Sequence, residues 1–238
     1  NVAVGALALD AATSNNRCTA VGYGALGGMN NASNGTLDNT AVGANAGGAA
    51  TMTGAQNTLV GVAAGLNITS GNKNTIVGTD AGDAINTATE NTLIGFNAGG
   101  ALDSGTTNVA IGSQALKVDT KGNTSIAVGY GALKASAFTT STTTGNVAIG
   151  YDAGLSITTG IFNVCIGLSA GDALDDADGN IAIGRHALGA DATGSGSVAM
   201  GDSALFSQNY GDTATAAYNT AIGHSAGYSI NSGVYNIC

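Results

Sequence analysis

The chain has no proline and no tryptophan, and only 9% of its residues are charged. A sheet organised around ion pairs or aromatic wedges is thereby excluded, and small residues must pack closely instead. Six basic residues scattered along a chain of net charge −9 make neither a phosphate-binding track nor an attraction to anionic membrane surfaces, so nucleic acid is not an expected partner. No apolar run approaches the roughly 20 residues of a membrane span, and no membrane insertion by this segment is expected. Three cysteines are an odd number, which excludes a closed disulfide framework within one chain.

What the chain has is repetition. The unit Asn108-Val109-Ala110-Ile111-Gly112 recurs with small substitutions, and its glycine, taken as position zero, falls at residues 5, 22, 43, 61, 78, 95, 112, 129, 150, 167, 184, 201 and 223. The commonest spacing is 17, with longer steps of 21, 18, 21 and 22. Such a period means a solenoid in which each repeat is one coil. The expectation is an all-β chain: a parallel β-solenoid of about 13 coils, one elongated domain over residues 1–238. At about 4.8 Å per coil it would measure about 60 Å.

Within the coil, position −1 is Val or Ile except at Met200, and position −3 is Thr, Val or Ile throughout, from Val2 to Thr220. This alternation predicts a short strand whose −1 and −3 side chains face a continuous core. Position −2 then points away, yet it holds only Ala, Leu59, Ile76, Leu93 and Cys165. A strand apolar on both faces is covered on both, so a neighbouring copy of the chain is expected over the −2 file. Position zero is glycine either because the backbone turns there with positive φ or because the adjacent coil leaves no room for a Cβ. Alanine at +3 in every coil predicts a second, tightly packed strand.

Position +4 is leucine in six coils and glycine in seven. Six of the glycine coils carry a large aliphatic residue at +7 (Ile68, Ile85, Leu102, Ile157, Leu174, Ile230), and no leucine coil has Ile or Leu there. One core slot is thus filled from two directions, since an empty one would cost on the order of 2 to 5 kcal/mol. Gly47 has Ala50 at +7 instead, and Met52 is expected to fill its slot. Leucine coils come in pairs, each pair ending in a longer connection: residues 27–38, 134–145 and 206–218, read as three surface loops. Eleven of fourteen −4 positions are asparagine, which suits either a ladder of stacked amides or a turn entering the strand. Cys165 and Cys238 share the −2 register about 19 Å apart and read as buried thiols beyond disulfide reach, whereas Cys18, in an asparagine slot, reads as exposed.

These coils resemble the Asn-Ser-Val-Ala-Ile-Gly repeats of trimeric autotransporter adhesin heads, the match lying in Asn146 to Gly150, Asn180 to Gly184 and Ser125 to Gly129. They are also similar to 17-residue Asn-Thr-Ala-Ile-Gly-Tyr-Asn-Ala-Gly repeats of bacteriophage tail fibres and large bacterial surface proteins, as in Asn74 to Gly82 and Asn219 to Gly227. The resemblance implies a left-handed β-roll in a homotrimeric fibre, extracellular on a virion tail or bacterial cell surface. Asn1 is neither an initiator methionine nor the start of a signal peptide. The chain also begins at the first residue of a repeat and stops three residues into another, which reads as a segment of a longer fibre.

No nucleophile motif, strong carboxylate pair or cofactor motif is present, so no enzyme activity and no cofactor are expected. His186 and His224 stand in different coils without a second ligand, and the acidic turn of Asp172, Asp175, Asp176 and Asp178 lacks the full spacing of a calcium loop, so no metal is expected. The sparse aromatic residues are the candidate contacts to a cell-surface glycan or protein receptor: Tyr23, Phe96, Tyr130 and Tyr151 at +1, and Phe138, Phe206, Tyr210 and Tyr218 in the long loops. The expected function is the structural shaft or head of a fibrous attachment protein. Ice binding stands second, because Thr40, Thr58, Thr75 and Thr92 form one file, but that file is short and shares the expected core face; a glycan-binding or glycan-degrading solenoid stands third.

Overall fold

The computed structural model describes residues 1–12, 17–30, 37–48, 51–211 and 213–238. It contains no helix among them and falls into two compact units, Asn1–Lys121 and Gly122–Cys238. Unit 1 carries three-residue strands at Val2–Val4, Thr19–Val21, Thr40–Val42, Thr58–Val60, Thr75–Val77, Thr92–Ile94 and Val109–Ile111, paired in parallel in sequence order. Unit 2 repeats the pattern with Ile126–Val128, Val147–Ile149, Val164–Ile166, Ile181–Ile183, Val198–Met200 and Thr220–Ile222. The register joins like to like, Thr58 to Thr75 and Val147 to Val164, so each unit is a parallel β-solenoid with the spacing read from the glycines.

Both explanations for the position-zero glycine hold. Its φ lies near +135°, at Gly61 (137°) for example, and a Cβ built there would stand 2.4 Å from the carbonyl oxygen of Gly78 in the next coil. The residues after it form a chain of turns and not the second strand expected around the +3 alanine. Positions +2 and +4 are both left-handed, as in Asn45 (φ 55°), Asp80 (54°), Leu26 (48°) and Gly82 (51°). For a non-glycine residue this conformation costs about 1–2 kcal/mol, and bonds between coils offset it. Gly43 N–H donates to Val21 (2.8 Å) and Asn45 N–H to Tyr23 (2.8 Å), while Gly47 N–H donates in the opposite direction to Ala64 (3.0 Å). The donors at zero and +2 thus bond to the preceding coil and the donor at +4 to the following one, which ties the irregular backbone to both neighbours.

The core is lined by the opposite strand face from the one expected. Leu59, Ile76, Leu93, Cys165 and the alanines of the −2 file are buried from Ala20 to Ala221, whereas the −1 and −3 side chains are half-buried or exposed. The reason is the thinness of the coil. Between the strand and the turns at +3 and +4 there is room for alanine in most coils, and for a larger −2 residue only where +4 is glycine. The shared core slot is present as read: a Cβ on Gly65 would meet Ile68 Cδ1 at 2.8 Å and Leu59 Cδ2 at 2.9 Å, and Met52 Sδ lies 3.6 Å from the corresponding point on Gly47. Ala50 and residues 31–36 of the first long connection lie outside the described residues.

The asparagines form a ladder. Asn57 Oδ1 accepts from the backbone N–H (3.0 Å) and Nδ2 (3.1 Å) of Asn74, whose Nδ2 also donates to the Ala88 carbonyl (2.8 Å). The pattern runs from Asn39 to Asn108 in unit 1 and from Asn146 to Ser197 in unit 2, in fully buried positions. Burial of this file explains why Cys18 is buried, against expectation, with its Sγ 4.0 Å from Met29 Sδ. Cys238 is exposed, also against expectation.

In unit 2 the long connections are less free than surface loops. Thr142–Thr143 pairs in parallel with Gly122–Asn123, and Thr215–Ala216 with Gly194–Ser195, while Phe138, Gln208 and Ala217 turn inward and are buried. Thr139, Thr140 and Ser141 remain exposed, and Asp212 lies outside the described residues.

Replacing Asn74 by Ala leaves the Asn91 N–H and the Ala88 carbonyl without the partners they have here. It should destabilise the chain by about 1–3 kcal/mol in urea unfolding. Asn67→Ala, which removes only an exposed bond to the Asp83 carbonyl, should stay within about 0.5 kcal/mol. Equal effects would contradict a load carried by the buried ladder.

Candidate functional site

Because −2 faces inward, each unit presents the −1 and −3 files outward. Val42, Ile111, Ile149 and Met200 remain between 36% and 40% exposed even though each is flanked by its like in the neighbouring coil. No −1 or −3 residue in any coil carries a charge or an amide. Position +1 has the same parity and is likewise exposed where it is large, at Tyr23, Val62, Phe96, Tyr130, Tyr151 and Leu168. In unit 1 the −3 file is threonine on five successive strands, from Thr19 to Thr92. In unit 2 it is Val or Ile until Thr220. The −1 and −3 files are therefore uncharged, with an apolar −1 file, on a chain that otherwise carries excess negative charge; charge enters only at +1, with Arg185 and Asp202 paired to each other.

The candidate aromatic contacts are not brought together into one patch. Tyr130 and Tyr151 stack on each other, centroids 5.1 Å apart and 14° from parallel. Phe206 stacks on Tyr228 at 5.3 Å and receives the edge of His186 at 6.2 Å. Phe138 is buried, which removes it from the exposed rings. The Tyr210 hydroxyl donates to the Gly233 carbonyl (2.5 Å) and accepts from Asn219 Nδ2 (3.0 Å). Tyr218 is exposed and lies beside Tyr235, centroids 5.6 Å apart. Tyr23 and Phe96 are exposed, and neither stacks on another described ring.

Sequence reasoning missed Phe162, Tyr228 and Tyr235 among the exposed rings. A register signal was available: an aromatic residue often lies over a glycine at the same or a neighbouring position of the preceding coil. Phe162 covers Gly145, Tyr218 covers Gly196, and Phe206 covers Gly189. Rings with one face against backbone and the other against a second ring present edges, which suits covering the coil better than stacking on a sugar.

Among the described residues no group of three or more His, Cys, Asp or Glu side chains could hold a metal ion. In the acidic turn Asp175 accepts from the Thr158 hydroxyl and Asp178 from the Ile161 N–H (2.8 Å), so these carboxylates serve as ladder acceptors. Burial, helped by the nearby Asp172 charge, pushes the Cys165 thiol up to about 12, leaving it inert as a nucleophile. A polar cluster lies under the last long connection. Buried Asp191 accepts from the Gly194 N–H (2.9 Å) and from Gln208 Nε2, and Gln208 Oε1 accepts from Asn219 Nδ2 (2.7 Å). Asp119 occupies the same +7 position one module earlier and is also buried.

No family model, curated protein or solved structure matches the chain.

Burial raises the Asp191 carboxyl above its ordinary value of 3.8, with donation from Gln208, Gly194 and Thr193 acting against it. The folded chain thus binds this proton more tightly than the unfolded chain. The resulting stabilisation is complete below pH 3.8 and is lost as pH rises through the higher folded value. Asp83 and Asp172 are raised in the same sense, so the comparison needs a variant in which only Asp191 changes. The melting temperature of the native chain relative to Asp191→Ala should be more favourable at about pH 4 than at about pH 7. A difference independent of pH would contradict the assignment.

Proposed function

We propose that the chain is a self-associating structural segment of a fibrous attachment protein, with copies packed against one another through their outward strand faces. The observation that carries this reading is the uncharged −1 and −3 face, apolar along −1 and along most of −3 in unit 2, extended by large +1 residues. A face of this kind gains most from removal from water, and lacks the like charges that would oppose association at net charge −9. A second copy of the same chain is the most economical cover, because the repeat offers it the same face in the same register. The interface thereby moves from the −2 file to the −1 and −3 files. Three copies around a common axis, with left-handed winding, follow from the resemblance to adhesin heads and tail fibres. So do a place outside the cell, on a virion tail or a bacterial surface, and a role in attachment rather than catalysis. Receptor contact falls to exposed side chains outside the strand face.

A second reading has one observation in its favour. The threonine file lies outward on five successive strands, in register, beside a file of valine and isoleucine, which is a regular surface of hydroxyl and methyl groups. It ranks second because unit 2 replaces most of those threonines with valine or isoleucine.

Light scattering over a dilution series tests the first reading. It should give three times the chain mass of 22.8 kDa. A particle of one chain mass at every concentration would overturn self-association, and thermal hysteresis with faceted ice crystals in that sample would establish the second reading.

A further inference from the structure

Unit 1 holds a hollow of about 300 Å³ beside the coils of Gly5, Gly22 and Gly43, on the turns after the strand. Its floor is made by missing side chains. Successive coils place Asp10, Gly27 and Gly48 at +5, and the middle coil has Gly24 at +2. A Cβ on Gly24 would stand 2.5 Å from Asn45 Oδ1, one on Gly48 2.6 Å from the Gly24 carbonyl oxygen, and one on Gly27 3.1 Å from the carbonyls of Gly24 and Leu7. A side chain at Gly48 would meet backbone and one at Gly24 would also need a φ of 63°, so glycine at these two positions keeps the floor open.

Its walls are chemically mixed. Tyr23 supplies an aromatic ring that stacks on no other described ring, Leu7 an exposed aliphatic side chain, Asp10 a carboxylate and Asn45 an amide. Asp10 and Asn45 are both exposed, and Asp10 has none of the ion pairs described for other coils. Among the described residues no basic side chain lines the hollow, which disfavours phosphate, sulfate and carboxylate ligands. The volume is at the lower end for small-molecule sites and fits one ring rather than an extended ligand. An apolar face beside a carboxylate and an amide matches a pyranose, whose C–H face packs on a ring while its hydroxyls donate to a carboxylate and exchange bonds with an amide.

We propose that this hollow binds one neutral pyranose unit of a glycan. The proposal rests on the attachment reading for its biological setting and deepens it by naming the class of receptor.

Saturation-transfer NMR on the full chain tests it, using the methyl glycosides of glucose, galactose and mannose as probes and N-acetylneuraminic acid and glucose 6-phosphate as charged controls. At least one neutral glycoside should receive saturation and the charged controls should not. Asp10→Lys places at +5 the residue that Lys117 supplies in a later coil, and Asn45→Ala the residue that Ala63 supplies at +2, so both are compatible with the fold. Each should weaken binding roughly tenfold, the effect of one lost charge-assisted or amide hydrogen bond. Asp83→Lys, at the same +5 position outside the hollow, should leave binding unchanged. Absence of transfer to all three neutral glycosides overturns the proposal, as does transfer that survives both Asp10→Lys and Asn45→Ala, or equal transfer to the charged controls. Light scattering on the same samples keeps the two readings apart: a chain of threefold mass without sugar binding rejects the hollow alone, and a single chain that binds sugar rejects self-association alone.

Discussion

The close stacking of one position-zero glycine on the next is the constraint from which the rest of the coil follows. At Gly43 an added Cβ would stand 2.2 Å from the Gly61 carbonyl oxygen, at a φ of 141° that only glycine adopts readily. The chain leaves the strand there, enters two left-handed residues at +2 and +4, and closes the coil within a few residues. A coil closed so tightly has a thin interior. Its strand can turn only small or compensated residues inward, and the large β-branched residues that favour strand geometry are left on the outside.

That inversion marks the limit of what could be read from the sequence. The repeat, its spacing, the glycine requirement and the exchange of bulk between +4 and +7 were legible because each is a pattern of residue against residue, as with Gly82 and Ile85. The period-2 alternation of Thr75, Ile76 and Val77 is legible too, but it divides the strand into two faces without saying which is inside. Size and hydrophobicity usually decide, and here they mislead: the inward −2 file is mostly alanine, with Ile76 accommodated opposite Gly82, while the larger Val and Ile of −1 lie outside. The same inversion buries Cys18, because the −4 file of asparagines lies on the inward side with −2. The pairing of Thr142–Thr143 with Gly122–Asn123 had no sequence signal, since neither segment has a strand pattern. Of the candidate site, the exposed rings Tyr23 and Phe96 were legible from their +1 register, while the hollow beside Tyr23 is assembled from residues of three different coils.

The outward face and the polar interior divide the work between them. Buried amides and the cluster of Asp191, Gln208 and Asn219 fix the register of the coils by hydrogen bonds that a slipped coil could not make. The first module meets the same position with Cys18 and Met29, so the register there rests on sulfur packing and on the bond from Asn39 Nδ2 to the Gly54 carbonyl. With register settled inside, the outer −1 and −3 files are free to carry uncharged, mostly β-branched residues, threonine along most of −3 in unit 1 and mainly Val and Ile elsewhere.

The most direct test of this account exchanges one residue on each face of a single strand. Ile76→Asn buries an amide in the thin interior and should abolish the β-sheet signal in far-ultraviolet circular dichroism. Val77→Asn, one residue on, should keep that signal while the particle mass falls towards that of one chain. Loss of the spectrum in Val77→Asn with a folded Ile76→Asn would contradict the account, because it would place the large residues inside after all.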